Sequence, residues 1–311
     1  MVRQYYPSVG HKAHRQVTIP FQNMGAFMKF PKYRTLQVSK QKSNLFITLN
    51  RPEQRNAMNV QMVDEIINVF DDVRDSKDIR AIVFRGAEGN FCSGEDTGDL
   101  ISARQTSLDG DSDPYYKLNR KLGRMLMKIN NSSQVVVTVL EGAVLGGGFG
   151  IACVSDVAIA KRDAQFGMPE TTMGIPPAQV IPFVVQRIGL THARRLALLG
   201  ARFNAETAFK LGIVHVVCGT DEKLEMELKT TLVQVKLCAP GANAVTKEIM
   251  LSVGKMPFER LLNQAAREYS ACLQGPEGKE GSIALKEKRL PFWAITDKYV
   301  IIQEDRPKVQ D

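Results

Sequence analysis

The sequence predicts an α/β fold for this chain of 311 residues. Short apolar runs typical of β-strands alternate with stretches in which apolar residues recur at helical spacing. The alternation repeats every roughly thirty to fifty residues, the length that a strand, a helix and their connections need. Hydrophobic residues make up 44% of the chain, as in ordinary globular proteins, and no apolar run is long enough to span a bilayer. We therefore expect a soluble α/β protein.

The first regular elements follow an irregular segment. Residues 1–33 contain prolines and glycines that interrupt every candidate element, so we interpret them as an N-terminal arm. Leu36–Ser39 and Leu45–Leu49 predict two short strands that form a hairpin through a polar turn. Val60–Val73 has apolar residues at helical spacing, which predicts an amphipathic helix, and Ala81–Arg85 is a short apolar strand.

The later elements continue the same alternation. Residues 105–114 are rich in Ser, Asp and Gly and predict an exposed loop. Further strands are predicted at Val135–Leu140, Val157–Ala160 and Ile213–Val217. Helices are predicted at Lys117–Ile129, Gly147–Cys153, Thr191–Leu199 and Ala205–Leu211. We divide the chain into the arm at 1–33, a core at 34–250 and a mostly helical region with a tail at 251–311.

The positive charge of the chain is concentrated near its N-terminus. The formal net charge is +8, and residues 1–50 contain eight Lys or Arg residues and no acidic residue. The basic arm is compatible with a mitochondrial transit peptide or with an extension packed on the surface, and no secretory signal is present. We expect an intracellular protein of the cytoplasm or the mitochondrial matrix, without a membrane partner. The bases are too dispersed to be more than a weak signal for RNA binding.

The cysteines and histidines do not form a metal-binding pattern. The five cysteines are scattered without a C-x-x-C pair, and the four histidines are not clustered. We predict no disulfide and no metal site.

Two glycine-bearing loops and one glutamate are the main candidates for chemistry. Phe91–Asp96 and Leu145–Gly150 each follow a β-type run, so each can aim one backbone N–H at a shared point. The glycines of the second loop allow close approach of a ligand, and the predicted helix after them directs free N–H groups there. Glycine runs also serve tight helix packing, which explains the second loop equally well when it is taken alone. Glu170 can move a proton beside such a site.

The second glycine loop does not fit the nucleotide-binding patterns. No Gly-Lys-Ser/Thr follows it, and it lacks the G-x-G-x-x-G order of a dinucleotide site. Two N–H donors from two strand ends instead favour a hole for an oxyanion.

The motifs together resemble the crotonase, or enoyl-CoA hydratase/isomerase, superfamily over residues 35–295. The matching segments are Asn50–Met58, Phe91–Asp96, Leu145–Gly150, Gln165–Glu170, Ala205–Gly212 and Glu287–Arg289. The resemblance implies a crotonase-like spiral of ββα units, with the acyl-CoA site in the core and a C-terminal helical region that mediates trimerisation, often as a dimer of trimers. It also implies an acyl-CoA thioester substrate. Coenzyme A is then part of the substrate, and no separate cofactor is expected.

The resemblance also assigns roles to individual residues. It places the oxyanion-hole amides on Glu95 and Gly147 and the general acid/base on Glu170. It implies contacts with the substrate or its coenzyme A at Arg55, Ala57, Ser93, Gly94, Asp96, Thr97, Gly146, Gly150 and Lys288. In relatives, the lysine at the position of Lys288 reaches coenzyme A from a neighbouring subunit. Asp96 is also suited to shaping its own loop by bonding backbone amides.

One departure from the family leaves the reaction open. Hydratases of the family pair two glutamates around a water; here Gly150 stands at the first position and Glu170 at the second. A single base is what relatives that shift a double bond use, although one carboxylate can also activate water and return its proton. Residues 146–150, 169–179 and 194–202 resemble the isohexenylglutaconyl-CoA hydratase branch, which favours hydration.

Three positions bear on the reaction and on the acyl group. Glu95 either supplies a second carboxylate or points to solvent, and Gln179 either bonds a polar acyl substituent or faces solvent. Gly150 is expected to free space for a branched acyl group. Our main hypothesis is hydration of a 2-enoyl-CoA, with a branched, glutaconyl-type chain as one candidate acyl group. The alternatives are a Δ3,Δ2-enoyl-CoA isomerase that uses Glu170 alone, and an RNA-binding or catalytically silent relative.

Overall fold

The computed structural model describes residues 30–96, 98, 99, 101, 105 and 113–295. Strands and helices alternate along this part of the chain, which confirms the predicted α/β class. The arm up to residue 29, Thr97, most of the predicted loop at 105–114 and the tail after 295 lie outside the described residues. Two aromatic residues at the end of the predicted arm, Phe30 and Tyr33, pack against the core.

The described residues form nine strands and nine α-helices. The strands are β1 Leu36–Gln41, β2 Asn44–Leu49, β3 Ala81–Gly86, β4 Val135–Leu140, β5 Ala143–Leu145, β6 Val157–Lys161, β7 Gln165–Gly167, β8 Arg202–Asn204 and β9 Val216–Cys218. The helices are α1 Val60–Val73, α2 Pro114–Asn130, α3 Gly147–Val154, α4 Ile181–Leu198, α5 Ala205–Lys210, α6 Asp221–Leu237, α7 Pro240–Ser252, α8 Phe258–Gln274 and α9 Pro276–Lys286.

The larger sheet has six strands in the order β1-β2-β3-β4-β6-β9. The hairpin of β1 and β2 is antiparallel, as predicted, and every other pair is parallel. The central strands β3 and β4 are nearly continuous in apolar residues and buried along almost their whole length. This pattern is typical of parallel strands that are covered on both faces.

A smaller sheet of three strands was not predicted from the sequence. Its order is β5-β7-β8, with β5 parallel to β7 and β7 antiparallel to β8. Each strand has three residues, which is too short to show the alternation by which strands are recognised in a sequence. This sheet carries the two segments that precede Gly146 and Glu170.

Helix α3 lies against the small sheet through aromatic side chains. The ring of Phe149 meets the ring of Phe166 edge to face at 6.4 Å and that of Phe203 at 5.9 Å, while the latter two rings stack at 5.8 Å. All eight residues of α3 are buried. The fixed packing of α3 holds its N-terminus, Gly147, at the end of β5.

Two predicted elements differ in their bounds from the structure. The helix predicted at Thr191–Leu199 is the second half of α4, which starts ten residues earlier and bends at Gly189, where φ is 74°. The strand predicted at Ile213–Val217 is shifted to β9, because Ile213 and Val214 are buried in the connection from α5. The buried apolar residues of this connection thus have the sequence pattern of a strand without forming one.

The C-terminal helices attach to the core through a buried ion pair. Lys247 on α7 donates to the carbonyl oxygen of Gln134 at 2.6 Å and to Asp156 Oδ2 at 2.5 Å. The C-terminal region predicted to be mostly helical forms α8 and α9. No helix among the described residues is long and apolar enough to cross a membrane.

Candidate active site

Backbone hydrogen bonds align the two glycine loops. Cys92 forms a parallel bridge with Val144 of β5, and its N–H donates to the carbonyl oxygen of Ala143 at 2.8 Å. The N–H of Leu145 in turn donates to the carbonyl oxygen of Cys92 at 2.9 Å. The first loop is therefore an extension of the small sheet, and the two loops leave this sheet side by side.

The segment after β2 fixes the other side of the first loop. The N–H of Met58 donates to the carbonyl oxygen of Gly94 at 2.8 Å, and that of Asp96 donates to the carbonyl oxygen of Met58 at 3.0 Å. These two bonds leave the N–H of Glu95, between them, on the opposite side of the chain. Gly94 adopts φ of 106°, a left-handed conformation that favours glycine and lets the loop turn here.

The amides of Glu95 and Gly147 have no hydrogen-bond acceptor within the described part of the chain. Gly147 is the first residue of α3, where an N–H has no partner inside the helix. Gly146 precedes it with φ of 51°, and a Cβ atom on Gly146 would lie 3.8 Å from the nitrogen of Glu95. The two loops thus bring these two amides near each other.

Glu170 lies beside these amides. It follows β7 in the 3-10 turn Pro169–Met173, and its Oε1 atom would lie 3.0 Å from a Cβ atom on Gly146. Its Oε2 atom is buried and has no hydrogen-bond partner among the described residues. Burial disfavours the charged form and raises the pKa of Glu170 above its ordinary value. A half-buried carboxyl with a raised pKa is suited to taking up and releasing a proton.

Glu95 also lies at this cavity, although the residue is exposed overall. Its pKa is raised, first because its carboxylate is partly desolvated and second because of repulsion from Glu170 and Asp99. The residue therefore lines the cavity with part of its surface and faces solvent with the rest.

The surroundings of Gly150 are apolar and filled. A Cβ atom there would lie 3.1 and 3.2 Å from the two methyl carbons of Leu126 and 3.2 Å from Cγ2 of Val180. The prediction that Gly150 frees space for a branched acyl group is therefore wrong, because these two side chains occupy that space. No described carboxylate replaces the missing glutamate on this side of the site.

A cavity of about 220 Å³ contains the candidate groups. It is lined by Glu95, Tyr115, Leu118, Asn119, Leu122, Gly147, Glu170 and the segment from Ile175 to Val180. Its walls come from α2, from the start of α3 and from the turn that follows Glu170. Gln179 belongs to this lining, so the alternative in which it only faces solvent does not hold. A larger cavity, about 1200 Å³, lies against α7 to α9 and contains none of the predicted site residues.

The segment predicted to hold coenzyme A forms a rigid loop next to the site. Ser93 bonds this segment twice, through its N–H to the carbonyl oxygen of Arg55 at 3.1 Å and through Oγ to that of Gln54 at 3.1 Å. Ala57 accepts a hydrogen bond from the side chain of Arg51 at 2.6 Å, and Arg55 itself is exposed. The structure therefore brings Arg55, Ala57 and Ser93 together.

Two residues in this loop were missed by the sequence analysis. Arg51 forms an ion pair with Asp96 at 2.7 Å, and Asp96 also accepts from the N–H of Gly98, which confirms its predicted part in shaping the loop. The buried side chain of Asn56 bonds the backbone of Arg51, Ala87 and Asn90. The signal available in the sequence was an Asn inside the motif, a residue type that tolerates the left-handed conformation that Asn56 adopts, with φ of 57°.

Lys288 lies away from the cavity within its own chain. It is exposed after α9, with φ of 54°, and is absent from the cavity lining. Thr97, the remaining predicted contact residue of the first loop, lies outside the described residues.

Comparison with known proteins identifies the class to which this fold and site belong. The enoyl-CoA hydratase/isomerase family model matches residues 39–296. The chain therefore belongs to the enoyl-CoA hydratase/isomerase family, an enzyme family whose name implies acyl-CoA thioester substrates.

Individual relatives cover most of the chain. A crystal structure of an enoyl-CoA hydratase/isomerase from Marinobacter aquaeolei is 51% identical, with a TM-score of 0.81 over 84% of this chain and 99% of that one. Pseudomonas aeruginosa AtuE is 49% identical, with a TM-score of 0.82 over 84% of this chain and all of that one. The mitochondrial Delta(3,5)-Delta(2,4)-dienoyl-CoA isomerase of Dictyostelium discoideum is 25% identical over 86% of this chain and 94% of its own length. The relatives thus include a protein named hydratase/isomerase and one named isomerase.

The raised pKa of Glu170 predicts how stability depends on pH. A carboxyl whose pKa is higher in the folded than in the unfolded state stabilises the fold at low pH, and this contribution is lost as the pH rises through the folded-state pKa. At neutral pH we expect Glu170→Gln to raise the Tm by about 2–4 °C. The gain should vanish below the unfolded-state pKa of about 4.3, where both side chains are neutral. Thermal unfolding between pH 4 and 8 measures this.

Glu259→Gln, an exposed change on α8, is the matched control and should leave the Tm within about 1 °C. A Tm difference for Glu170→Gln that is the same at every pH would contradict the interpretation of its titration.

Proposed function

We propose that this protein hydrates a 2-enoyl-CoA, using the amides of Glu95 and Gly147 as an oxyanion hole and Glu170 as the general acid/base. The observation that carries the proposal is the convergence of two amides that lack an acceptor in the described chain with one buried, partnerless carboxyl oxygen. When the thioester carbonyl of the substrate lies between the amides, the β-carbon of its acyl chain faces Glu170.

The two amides activate the thioester. When a nucleophile adds to the β-carbon of a conjugated thioester, negative charge develops on the thioester oxygen as an enolate. Donors that already point at this oxygen stabilise the charge without reorganising, and one such donor typically contributes about 3 kcal/mol. The partial positive charge at the N-terminus of α3 adds to this effect.

Glu170 handles the proton. Its ionised carboxylate accepts a proton from water as the water oxygen bonds to the β-carbon, and the protonated carboxyl then delivers that proton to the α-carbon. The net change is addition of one water across the double bond, and the carboxylate is regenerated. Burial keeps the pKa of Glu170 raised, which brings the acid and base forms closer in free energy at neutral pH.

The carboxylate of Glu95 holds the water in this scheme. It lines the same cavity as Glu170 and lies within its electrostatic reach. The position at which other hydratases carry this group, Gly150, is enclosed by Leu126 and Val180. Glu95 thus replaces the missing glutamate from the opposite loop, and the same residue supplies one amide and one carboxylate.

Isomerisation of a Δ3-enoyl-CoA to the Δ2 isomer is the second candidate function. It needs only the oxyanion hole and one base, and the apolar, filled surroundings of Gly150, which supply no second carboxylate there, favour it. The likeness to a dienoyl-CoA isomerase points the same way. In this reaction Glu170 removes the α-proton and returns a proton to the γ-carbon.

The acyl group is the finer part of the proposal. The segments at 146–150, 169–179 and 194–202 resemble those of isohexenylglutaconyl-CoA hydratases, so we assign a branched, glutaconyl-type chain to the substrate. The turn Pro176–Gln179, which lines the cavity, supports an acyl pocket of unusual shape.

Glu170→Gln tests the assignment of the general acid/base. Because glutamine neither accepts nor releases a proton here, kcat/KM should fall by about 10²- to 10⁴-fold. Hydration of a 2-enoyl-CoA lowers its ultraviolet absorbance, whereas isomerisation of a 3-enoyl-CoA raises it, so one absorbance trace for each substrate separates the two functions. Glu259→Gln serves as the control. Wild-type rates for Glu170→Gln on both substrates would rule out this mechanism.

Glu95→Gln separates the side chain of Glu95 from its amide. The substitution keeps the backbone N–H, so the oxyanion hole is retained and only the carboxylate is lost. We expect hydration of a 2-enoyl-CoA to slow by about 10- to 100-fold, with a smaller effect on 3-enoyl-CoA isomerisation, and the ratio of the two rates is the measurement. An unchanged ratio would show that Glu95 contributes to catalysis through its amide alone.

A homotrimer, or a dimer of trimers, is the assembly we assign to the chain. One face of α8 exposes Phe258, Leu262, Tyr269 and Leu273, whose spacing places them along a single stripe. A stripe of this kind on a single chain is suited to covering by another subunit. In that assembly Lys288 is free to reach the coenzyme A of a neighbour.

Light scattering should give a mass of three or six chains. Leu262→Glu, which places a charge in the stripe, should lower that mass, whereas Glu259→Gln on the same helix should not. A monomeric wild-type protein at micromolar concentration is the result that excludes the assembly.

A further inference from the structure

We propose that Gln179 determines acyl specificity by donating an N–H from its side-chain amide to an oxygen on the acyl chain, in an orientation set by Gly123 and Arg120. The inference rests on the proposed function, because it takes the cavity of Glu170 to be the acyl pocket. It adds a recognition element on the wall of that cavity opposite the small sheet.

Gly123 on α2 creates the space in which the amide of Gln179 sits. A Cβ atom on Gly123 would lie 1.9 Å from Oε1 and 2.8 Å from Cδ of Gln179. No real Cβ contact is that short, so any side chain at position 123 would displace the amide. Glycine in the middle of a helix is unfavourable relative to alanine, and here the missing methyl group gives the amide its place.

Arg120, one turn earlier on α2, fixes which end of the amide faces the cavity. Its Nη1 atom donates to Oε1 of Gln179 at 3.3 Å. Since a guanidinium only donates hydrogen bonds, the oxygen of the amide must face Arg120 and the nitrogen must point elsewhere. Within the described part of the chain Nε2 of Gln179 donates to no acceptor, and because it is not one of the buried atoms without a partner, it is accessible to solvent or to a ligand. The amide therefore offers a donor, and not an acceptor, to whatever fills the cavity.

The position of Gln179 in the cavity makes this donor selective. Gln179 lines the cavity together with Gly147 and Glu170, so an acyl chain held by its thioester there extends toward the amide. The neighbouring walls are mostly apolar, with Leu118, Leu122 and Val180 close by. An acyl chain without an oxygen atom would cover the amide N–H and leave it without a partner, which is costly. Sites built to bond a polar group reject analogues that lack it more strongly than apolar pockets discriminate by size.

The ligand group is an oxygen acceptor, and the charge behind the amide favours an anionic one. Arg120 polarises the amide through its carbonyl oxygen, which strengthens the N–H as a donor. Its positive charge also offsets the repulsion that a substrate carboxylate would feel from Glu95 and Glu170. The geometry itself accommodates either a carboxylate or a neutral hydroxyl or carbonyl oxygen.

Three substrates of equal chain length test the proposal: pent-2-enoyl-CoA, 5-hydroxypent-2-enoyl-CoA and glutaconyl-CoA. They end in a methyl group, a hydroxymethyl group and a carboxylate. The measurement is kcat/KM for hydration of each, expressed as the ratio of an oxygen-bearing substrate to pent-2-enoyl-CoA. In Gln179→Leu this ratio should fall by about 10- to 100-fold. A fall confined to glutaconyl-CoA identifies a carboxylate as the ligand group, and a fall for both substrates identifies any oxygen acceptor.

Gly123→Ala provides the second variant. Alanine is a better helix former than glycine, and the atoms in its way are the ends of flexible side chains, so the fold should persist while the amide moves. The substrate ratio should fall in the same direction as in Gln179→Leu. Gln186→Leu, an exposed change on α4 outside the cavity, is the matched control and should keep the wild-type ratio.

The outcomes separate this inference from the proposed function. A ratio that Gln179→Leu leaves unchanged, or an equal loss on all three substrates, overturns the specificity role while hydration by the wild type still stands. A wild-type protein that hydrates none of the three substrates but isomerises 3-enoyl-CoA overturns the proposed hydration. In that case the same ratio measured for 3-enoyl substrates decides the role of Gln179.

Discussion

The parallel pairing of β5 with β7, extended by the bridge between Cys92 and Val144, is the constraint on which the site depends. It sets three chain segments side by side, and each segment ends in one functional group. The first ends in the amide of Glu95, the second in the amide of Gly147 and the third in Glu170. Backbone hydrogen bonds have narrow ranges of length and direction, so this arrangement limits how far the three segments can shift relative to one another. The packing of α3 through Phe149 keeps the sheet from shifting.

Electrostatics at the site follow from this geometry. Two amides and the N-terminus of α3 present partial positive charge at one point, while Glu170 and Glu95 present negative charge a short distance away. Burial and mutual repulsion raise the pKa of the carboxyls, which opposes full ionisation of both at once. An enolate that forms next to the amides is stabilised there, and a proton on Glu170 is easily given up to it. The arrangement lowers the free energy of unfolding, because a carboxyl oxygen of Glu170 is buried without a described partner.

The sequence predicted the larger elements and the glycine loops but not the small sheet that aligns them. The helical spacing of apolar residues marked α1 and a continuous apolar run marked β4, whereas β5, β7 and β8 are three residues long, too short for either pattern to be recognised. The motifs predicted that the two glycine loops and Glu170 share a site, and the family resemblance assigned the amides to Glu95 and Gly147. The filled space at Gly150 was not, because Leu126 and Val180 are distant in sequence and their contact depends on tertiary packing. The position of the Gln179 side chain could not be predicted either, because it depends on the lack of a side chain at Gly123 on another helix.

In the proposed function, three tasks fall to three kinds of structure. Thioester activation uses backbone amides held by the small sheet, and it is insensitive to most side-chain changes. Proton transfer uses the carboxyls of Glu170 and Glu95, which stand on loops. Acyl recognition uses the turn that contains Gln179 against α2, where the glycine at position 123 sets the shape. Glu95 takes part in the first two tasks through different groups, its amide and its carboxylate, so a change of side chain, such as glycine in place of a glutamate at 150, alters proton transfer while the backbone donors for the thioester are retained. Such a division fits a family whose relatives are named as hydratases and as an isomerase.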